Sequence, residues 1–383
     1  MRHVRRPALA GFLFASSLAF GAQQELPEPL RNAFASAQTR FANPTNRYEY
    51  PVIARDLAQV LEKAPDAQDV RLLRIDALLK SGDRRTASEE MKRVAAARDS
   101  LSEAGKLELR ILAAHLGGKP QEEIRFLTEL LDLRPDDRWL HYELARAYSD
   151  LDRYAEAVRH IDLAFLRTGP QASWEASWIH ALHSKALLRS GADPRTAVDA
   201  ANAGRAETTS WPQTLYRLAL AQYAAGDATG GNRSLNEWVT WVREAGRVAE
   251  ADVQVSLGLF FYELKDYRQA EQHFRDSLAF NRESVRGMWA LGYLLVEKPG
   301  GLAEGRSLID RGLEKAPNDA NLLDARGWAL YRANRAAEGY SWLRRAQLAL
   351  GGAYSQRVAD HLAAVAAELK DSGTPPAPHT PWL

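Results

Sequence analysis

Apolar and small residues recur along this chain at every third or fourth position, the spacing of one face of an α-helix. The stretch LDRYAEA at residues 151–157 lies between two such patterns, and its polar Asp152 and Arg153 separate them. The pattern predicts two helices joined by a short turn. Their facing sides consist of Leu144, Ala145 and Tyr148 on the first helix and of Ala157, Ile161 and Ala164 on the second.

A similar stretch, LKDYRQA, occurs at residues 264–270. The pairs Leu257-Gly258 and Leu291-Gly292 are 34 residues apart. A fixed period of this length indicates that one helical hairpin is repeated along the chain. The best copy continues from its first pair with Phe261, Tyr267, Ala270 and Phe274.

These residues resemble the tetratricopeptide repeat, a helix–turn–helix unit with small residues at fixed positions and a late proline. The resemblance extends over about eight units between residues 51 and 370. It implies an all-α fold, a right-handed α-solenoid of stacked helix–turn–helix repeats, because one hairpin cannot bury its apolar face alone.

The ends of the repeat region have their own patterns. Residues 22–50 are interpreted as an entry segment. The sequence SQRVADHLAAVAAELK at residues 355–370 is predicted to form a capping helix with an apolar face and a polar face. Residues 371–383 are rich in proline and predicted to be disordered. The apolar face of the capping helix consists of Val358, Leu362, Val365 and Leu369.

The first 21 residues read as a secretory signal peptide. Arg2, Arg5 and Arg6 precede an apolar run at residues 8–20, and the small Gly21 and Ala22 follow it. The run is short for a membrane span, although an uncleaved anchor is the alternative. We therefore expect an exported bacterial protein in the periplasm or at the periphery of the outer membrane.

The composition excludes several kinds of catalytic and binding site. The chain has no cysteine, which excludes disulfides, thiolate nucleophiles and cysteine zinc sites. A net charge of +1 gives no broad basic field, so general nucleic-acid binding is not expected. No phosphate loop, nucleophile elbow or dinucleotide motif occurs, and we predict neither an enzyme nor a cofactor. His180 and His183 are a weak metal candidate, with a packing role as the simpler interpretation.

The resemblance implies a concave groove lined by the first helix of each repeat. Transfer of the family's groove positions gives a series of aromatic and charged side chains. Rings supply rigid contact area, while charges fix the register of an extended ligand. The alternative for any one ring is partial burial between neighbouring first helices. The candidate groove residues are Trp139, Tyr142, Arg146, Tyr216, Tyr223, Tyr262, Arg286, Trp289, Tyr293, Trp328, Tyr331 and Arg332.

Three functions are compatible with this groove. The favoured one is a non-catalytic scaffold in the cell envelope that binds a protein or peptide partner and serves assembly or secretion. The alternative is a glycan-handling module similar to repeat parts of polysaccharide export systems, with Trp139, Trp289 and Trp328 as stacking platforms. An enzyme without a recognisable motif is the third. Tyr142 and Arg146 stand where chaperone-binding members carry part of their carboxylate clamp, which argues against that role.

Overall fold

The computed structural model describes residues 26–42, 49–166, 173–207, 212–244 and 248–371. Within these ranges the chain forms nineteen α-helices and one short 3-10 helix, and it contains no strand. The predicted all-α fold is therefore confirmed. The predicted signal peptide and the tail after residue 371 lie outside the described residues.

The chain divides into two compact units, residues 1–221 and residues 222–383. Unit 1 is a series of helices in which each contacts the next, and several first helices of hairpins also contact each other. Its helices are α1 (Glu28–Ala42), α2 (Glu49–Lys63), α3 (Gln68–Ser81), α4 (Arg84–Ala96), α5 (Glu103–Leu116), α6 (Pro120–Leu133), α7 (Arg138–Asp150), α8 (Tyr154–Phe165), α9 (Ser173–Ser190) and α10 (Pro194–Glu207), with the 3-10 helix at Arg98–Ser100.

The segment before residue 51 contributes to the core of unit 1. Phe34 and Phe41 of α1 are fully buried. The Phe41 ring meets the Tyr50 ring of α2 edge to face, with centroids 5.6 Å apart. The predicted entry segment therefore contains a packed helix whose two phenylalanines close this end of the core.

Helix α11 (Pro212–Ala224) begins in unit 1 and ends in unit 2. In unit 2 the helices again pair in chain order, and the first helices α13, α15 and α17 contact one another in succession. The remaining helices are α12 (Ala228–Glu244), α13 (Glu250–Glu263), α14 (Tyr267–Phe280), α15 (Val285–Glu297), α16 (Leu302–Lys315), α17 (Ala320–Arg332), α18 (Ala336–Ala349) and α19 (Gln356–Asp371).

Every hairpin from α3/α4 to α17/α18 turns through one residue in the left-handed backbone region. Glycine adopts this conformation without steric cost, whereas other residues pay for the contact of Cβ with the backbone. Five of the eight turns use glycine, and three use a residue with a side chain. These turn residues are Gly82, Gly118, Asp152, Gly191, Gly226, Lys265, Gly300 and Asn334.

Small residues let the two helices of a hairpin approach closely. Ala270 of α14 is fully buried. A Cβ on Gly258 of α13 would lie only 2.3 Å from a ring carbon of Phe274. In the α17/α18 hairpin, a Cβ on Gly327 would lie 2.9 Å from the carbonyl oxygen of Gly339. Ala157, which occupies the same repeat position in α8, is also fully buried.

Candidate functional site

The candidate residues of α7 are buried in unit 1. Trp139 is 8% exposed, Tyr142 is 3% exposed and Arg146 is 5% exposed. The Trp139 and Tyr142 rings pack edge to face with centroids 5.3 Å apart. Burial keeps these three side chains out of any open binding surface; the Tyr142 ring meets that of Phe165 on α8, and Arg146 pairs with Glu123 on α6.

Arg146 is the centre of a buried ionic network. Its Nε donates to Glu143 Oε2 at 3.0 Å, and its Nη1 donates to Asp150 Oδ2 at 2.8 Å. Its Nη2 donates to Glu123 of the preceding hairpin. Burial alone would lower the pKa of Arg146, but Glu123 and Glu143 outweigh burial and raise it. The guanidinium therefore joins two hairpins and is not offered to a ligand.

The two tyrosines of α11 differ in their surroundings. Tyr216 is half-buried, and the guanidinium of Arg217 lies 5.4 Å from its ring centre. Tyr223 packs within its own hairpin, where a Cβ on Gly231 of α12 would meet its ring at 2.5 Å. Its hydroxyl donates to Asn232 Oδ1 at 2.5 Å. Tyr223 therefore packs against the beginning of α12 within unit 2.

The remaining candidates lie on one face of unit 2, formed by the first helices α13, α15 and α17. Cross-helix contacts hold this face. Arg286 Nη1 of α15 donates to the Asp252 carbonyl of α13 at 3.3 Å. Trp328 Nε1 of α17 donates to Glu297 of α15. We call it the A-face, and it carries Tyr262, Arg286, Trp289, Tyr293, Trp328, Tyr331 and Arg332.

Exposure along the A-face is uneven. Tyr262, Tyr293, Trp328 and Tyr331 are half-buried, and Arg332 is exposed. Trp289 is only 8% exposed. Trp289 therefore belongs mainly to the packed part of the face, while the other four rings each keep part of their surface exposed.

Acidic groups accompany these rings. Glu263 and Glu297 are exposed at the ends of α13 and α15. Asp324 on α17 is completely buried. Burial, outweighing the opposing effect of Arg357, raises the pKa of Tyr293, so this tyrosine remains neutral. The A-face thus combines rings with exposed charges of both signs, the carboxylates of Glu263 and Glu297 and the guanidinium of Arg332.

Helix α19 adds side chains to the candidate site that the sequence did not predict there. Arg357 and His361 project from α19 onto the A-face. His361 stacks on Trp328 with centroids 4.0 Å apart, and its Nε2 lies 3.3 Å from the Tyr293 hydroxyl. Their spacing of four residues on the polar side of a predicted capping helix was the available signal. Only the structure places that side against α15 and α17.

The histidine pair of α9 is explained by packing. The Phe165 ring stacks on His180 with centroids 4.8 Å apart and lies 5.7 Å from His183. Burial, with a smaller contribution from His183, lowers the pKa of His180 to about 4. Within the described ranges, no group of three or more metal-ligating side chains is arranged to hold an ion. Among those same residues, every helix is too short or too polar to cross a membrane.

No protein-family profile matches the sequence. A TPR repeat-containing protein of Pseudomonas aeruginosa is 32% identical over 81 residues, which are 21% of this chain and 14% of that protein. The chain therefore matches only a small part of that relative's length. The apo form of the quorum sensor NprR from B. thuringiensis aligns with a TM-score of 0.53 and 13% identity, covering 84% of this chain and 99% of that one. The match to the TPR repeat-containing protein confirms the resemblance that the repeat motifs indicated, and the likeness to NprR shows the helical fold.

Proposed function

We propose that this chain, a tetratricopeptide repeat protein, is a non-catalytic scaffold of the bacterial cell envelope that binds a segment of a protein partner on the A-face of unit 2. The observation that carries the proposal is the series of half-buried rings on three successive first helices, two of which end in a carboxylate. A protein-interaction role agrees with the helical repeat fold.

The composition of the A-face favours a peptide ligand. Tyr262 and Tyr331 can cover apolar side chains while their hydroxyls bind backbone groups. Glu263, Glu297 and Arg332 are exposed beside them and can fix the direction of a bound segment. The contacts of Arg286 with α13 and of Trp328 with Glu297 hold the face in place before the partner arrives.

The envelope location rests on the sequence of the first 22 residues. A basic start, a short apolar run and small residues after it are typical of a secretory signal. Amino-terminal sequencing of the protein from envelope fractions tests this location, with a mature start at residue 22 or 23 as the expected result. A start at Met1 in a cytosolic fraction would refute export and leave the binding face unaffected.

The binding proposal is tested by affinity capture from envelope extracts of the source bacterium. The test chain carries Tyr262→Ala and Arg332→Glu on the A-face. The matched control carries Phe280→Ala and Arg268→Glu on α14, where both side chains are exposed. Truncation of a central aromatic anchor commonly costs about 2 kcal/mol, so we expect capture by the test chain to fall at least about tenfold.

The control should capture as much partner as the unmodified chain, and circular dichroism should give the same helical content for all three. Equal capture by test and control chains refutes the A-face as the binding surface. Binding of the unmodified chain to a glycan array, with no protein captured, would favour the glycan-handling alternative.

A further inference from the structure

The guanidinium of Arg357 occupies a cage on the A-face. Its Nε donates to Asp324 Oδ2 at 2.7 Å, and its Nη2 donates to Asn321 Oδ1 at 2.8 Å. Its central carbon lies 5.4 Å from the Trp289 ring centre and 5.3 Å from that of Tyr293. Two rings, one carboxylate and one amide thus surround a single cation, an arrangement that selects a planar guanidinium.

The repeats themselves do not supply that cation. Asp324 is completely buried on α17, and a buried carboxylate is costly unless it is paired. Both of its oxygens are paired by α19, Oδ2 with Arg357 and Oδ1 with His361 Nδ1 at 2.8 Å. The A-face therefore presents an anionic pocket that only a helix from outside the hairpins completes.

Helix α19 is seated as an amphipathic helix in a groove. Val358 and Val365 on its apolar side are buried against α17 and α18. The link from α18 contains Gly351 and Gly352, both in the left-handed region with φ of 60° and 86°. Two consecutive glycines give this link more conformational freedom than any other residue pair would.

The fit of α19 leaves one donor unsatisfied. Trp289 Nε1 is buried and has no hydrogen-bond partner among the residues that the structure describes. Buried donors are normally paired, and one left unpaired costs free energy. The Arg357 guanidinium lies over the ring and carries no acceptor, so α19 does not satisfy this donor.

We propose that the Asp324 cage is the site at which the A-face recognises an arginine on a helical segment of the partner, and that α19 is a resident occupant which the partner replaces. This inference rests on the proposed function. The partner segment is an amphipathic helix with an arginine, a ring-bearing residue four positions later and an apolar stripe, the features by which α19 itself binds. Because α19 is tethered, its effective concentration is on the order of millimolar, and a free segment must compete with it.

The test uses the full mature chain and a fluorescein-labelled peptide of residues 355–371 as the ligand. Val365→Asp places a charge on the fully buried apolar side of α19 and releases that helix while leaving the cage intact. We expect the peptide to bind the Val365→Asp chain at least tenfold more tightly than the unmodified chain. Asp324→Asn in the released chain, or Arg357→Lys in the peptide, should each weaken binding at least tenfold.

Two results overturn the inference: no binding of the peptide to the folded Val365→Asp chain, or equal binding of the arginine and lysine peptides. If Val365→Asp does not fold, hydrogen exchange of the unmodified chain tests whether α19 can leave the A-face by itself. Amides of α19 should then exchange at least tenfold faster than those of α17, and exchange of both helices in one common opening refutes displacement.

Two further outcomes separate this inference from the proposed function. A stable dimer of the unmodified chain whose cage is filled by α19 of a second copy overturns the partner assignment. If the peptide results are as expected but neither chain captures a protein from envelope extracts, the cage stands as an arginine site and the proposed function fails.

Discussion

Replacing Arg146 by leucine removes the only guanidinium that joins Glu123 and Glu143 in the described part of unit 1. Both carboxylates are almost fully buried, with side chains 4% and 3% exposed. Leucine can occupy part of the space but cannot donate a hydrogen bond. Breaking a buried ion pair by removing one partner costs about 3–5 kcal/mol, and we expect a loss of stability in that range.

The loss should depend on pH in a way that a packing defect does not. In the unmodified chain, burial would raise the pKa of Glu123, but Arg146 and His115 together outweigh it and hold this pKa below its usual value. Without the guanidinium, burial raises the pKa of both carboxyls above that of the unfolded chain. The folded variant then binds more protons than the unfolded one, so its stability falls as pH rises. The deficit should be smaller at about pH 5 than at about pH 8.

Urea denaturation followed by circular dichroism at both pH values measures this effect. Arg332→Leu, a change at an exposed position of α17, is the matched control and should stay within about 0.5 kcal/mol of the unmodified chain. Adding Glu123→Gln to Arg146→Leu should recover part of the loss, because it removes one of the two buried charges. A deficit below about 1 kcal/mol that is equal at both pH values would falsify the assignment of Arg146 as a buried structural ion.

Two other predictions concern single positions. Burial, outweighing Arg134, raises the pKa of Glu108 from its usual 4.5 to about 8. The free energy of unfolding should therefore fall by up to about 1.4 kcal/mol for each unit by which the pH rises through this range. Glu108→Gln should flatten this slope in urea titrations at several pH values, and an unchanged slope would contradict the raised pKa. Lys265 is exposed and has a φ of 63°. Lys265→Gly removes about 1–2 kcal/mol of backbone strain from the folded state. It also increases the entropy of the unfolded chain, which costs about 0.5–1 kcal/mol. We expect thermal unfolding to show that Lys265→Gly raises stability by about 0.5–1 kcal/mol, and that the reverse control Gly226→Lys lowers it. A lower stability of Lys265→Gly would refute the strain.

Local sequence determined the repeated unit. The helices and turns follow from patterns confined to about one 34-residue period, because apolar spacing and turn residues act within a single hairpin. The predicted turn at Asp152 and Arg153 lies between α7 and α8, and residues 117–119 form the turn between α5 and α6. Of the predicted apolar face of α19, Val358, Val365 and Leu369 are buried and Leu362 is half-buried.

The candidate binding residues could be placed on the first helices from sequence, but their exposure could not. Arg146 and Trp289 occupy repeat positions that the family uses for its groove, yet both are buried here. Exposure depends on the side chains of the neighbouring hairpins and on the angle at which these hairpins stack, and neither is encoded at one position.

Only the tertiary structure decided what fills the A-face. Tyr293 and His361 are 68 residues apart, two repeat periods, and come within 3.3 Å. No periodic pattern predicts such a contact, since it arises when the last helix folds back over the hairpins before it. The sequence by itself determined a chain of helical hairpins with a capping helix, because these features need only short-range spacing. The pairing of Arg357 with Asp324 needed the tertiary structure, because two residues on separate helices become partners only when packing brings a buried carboxylate and a guanidinium together.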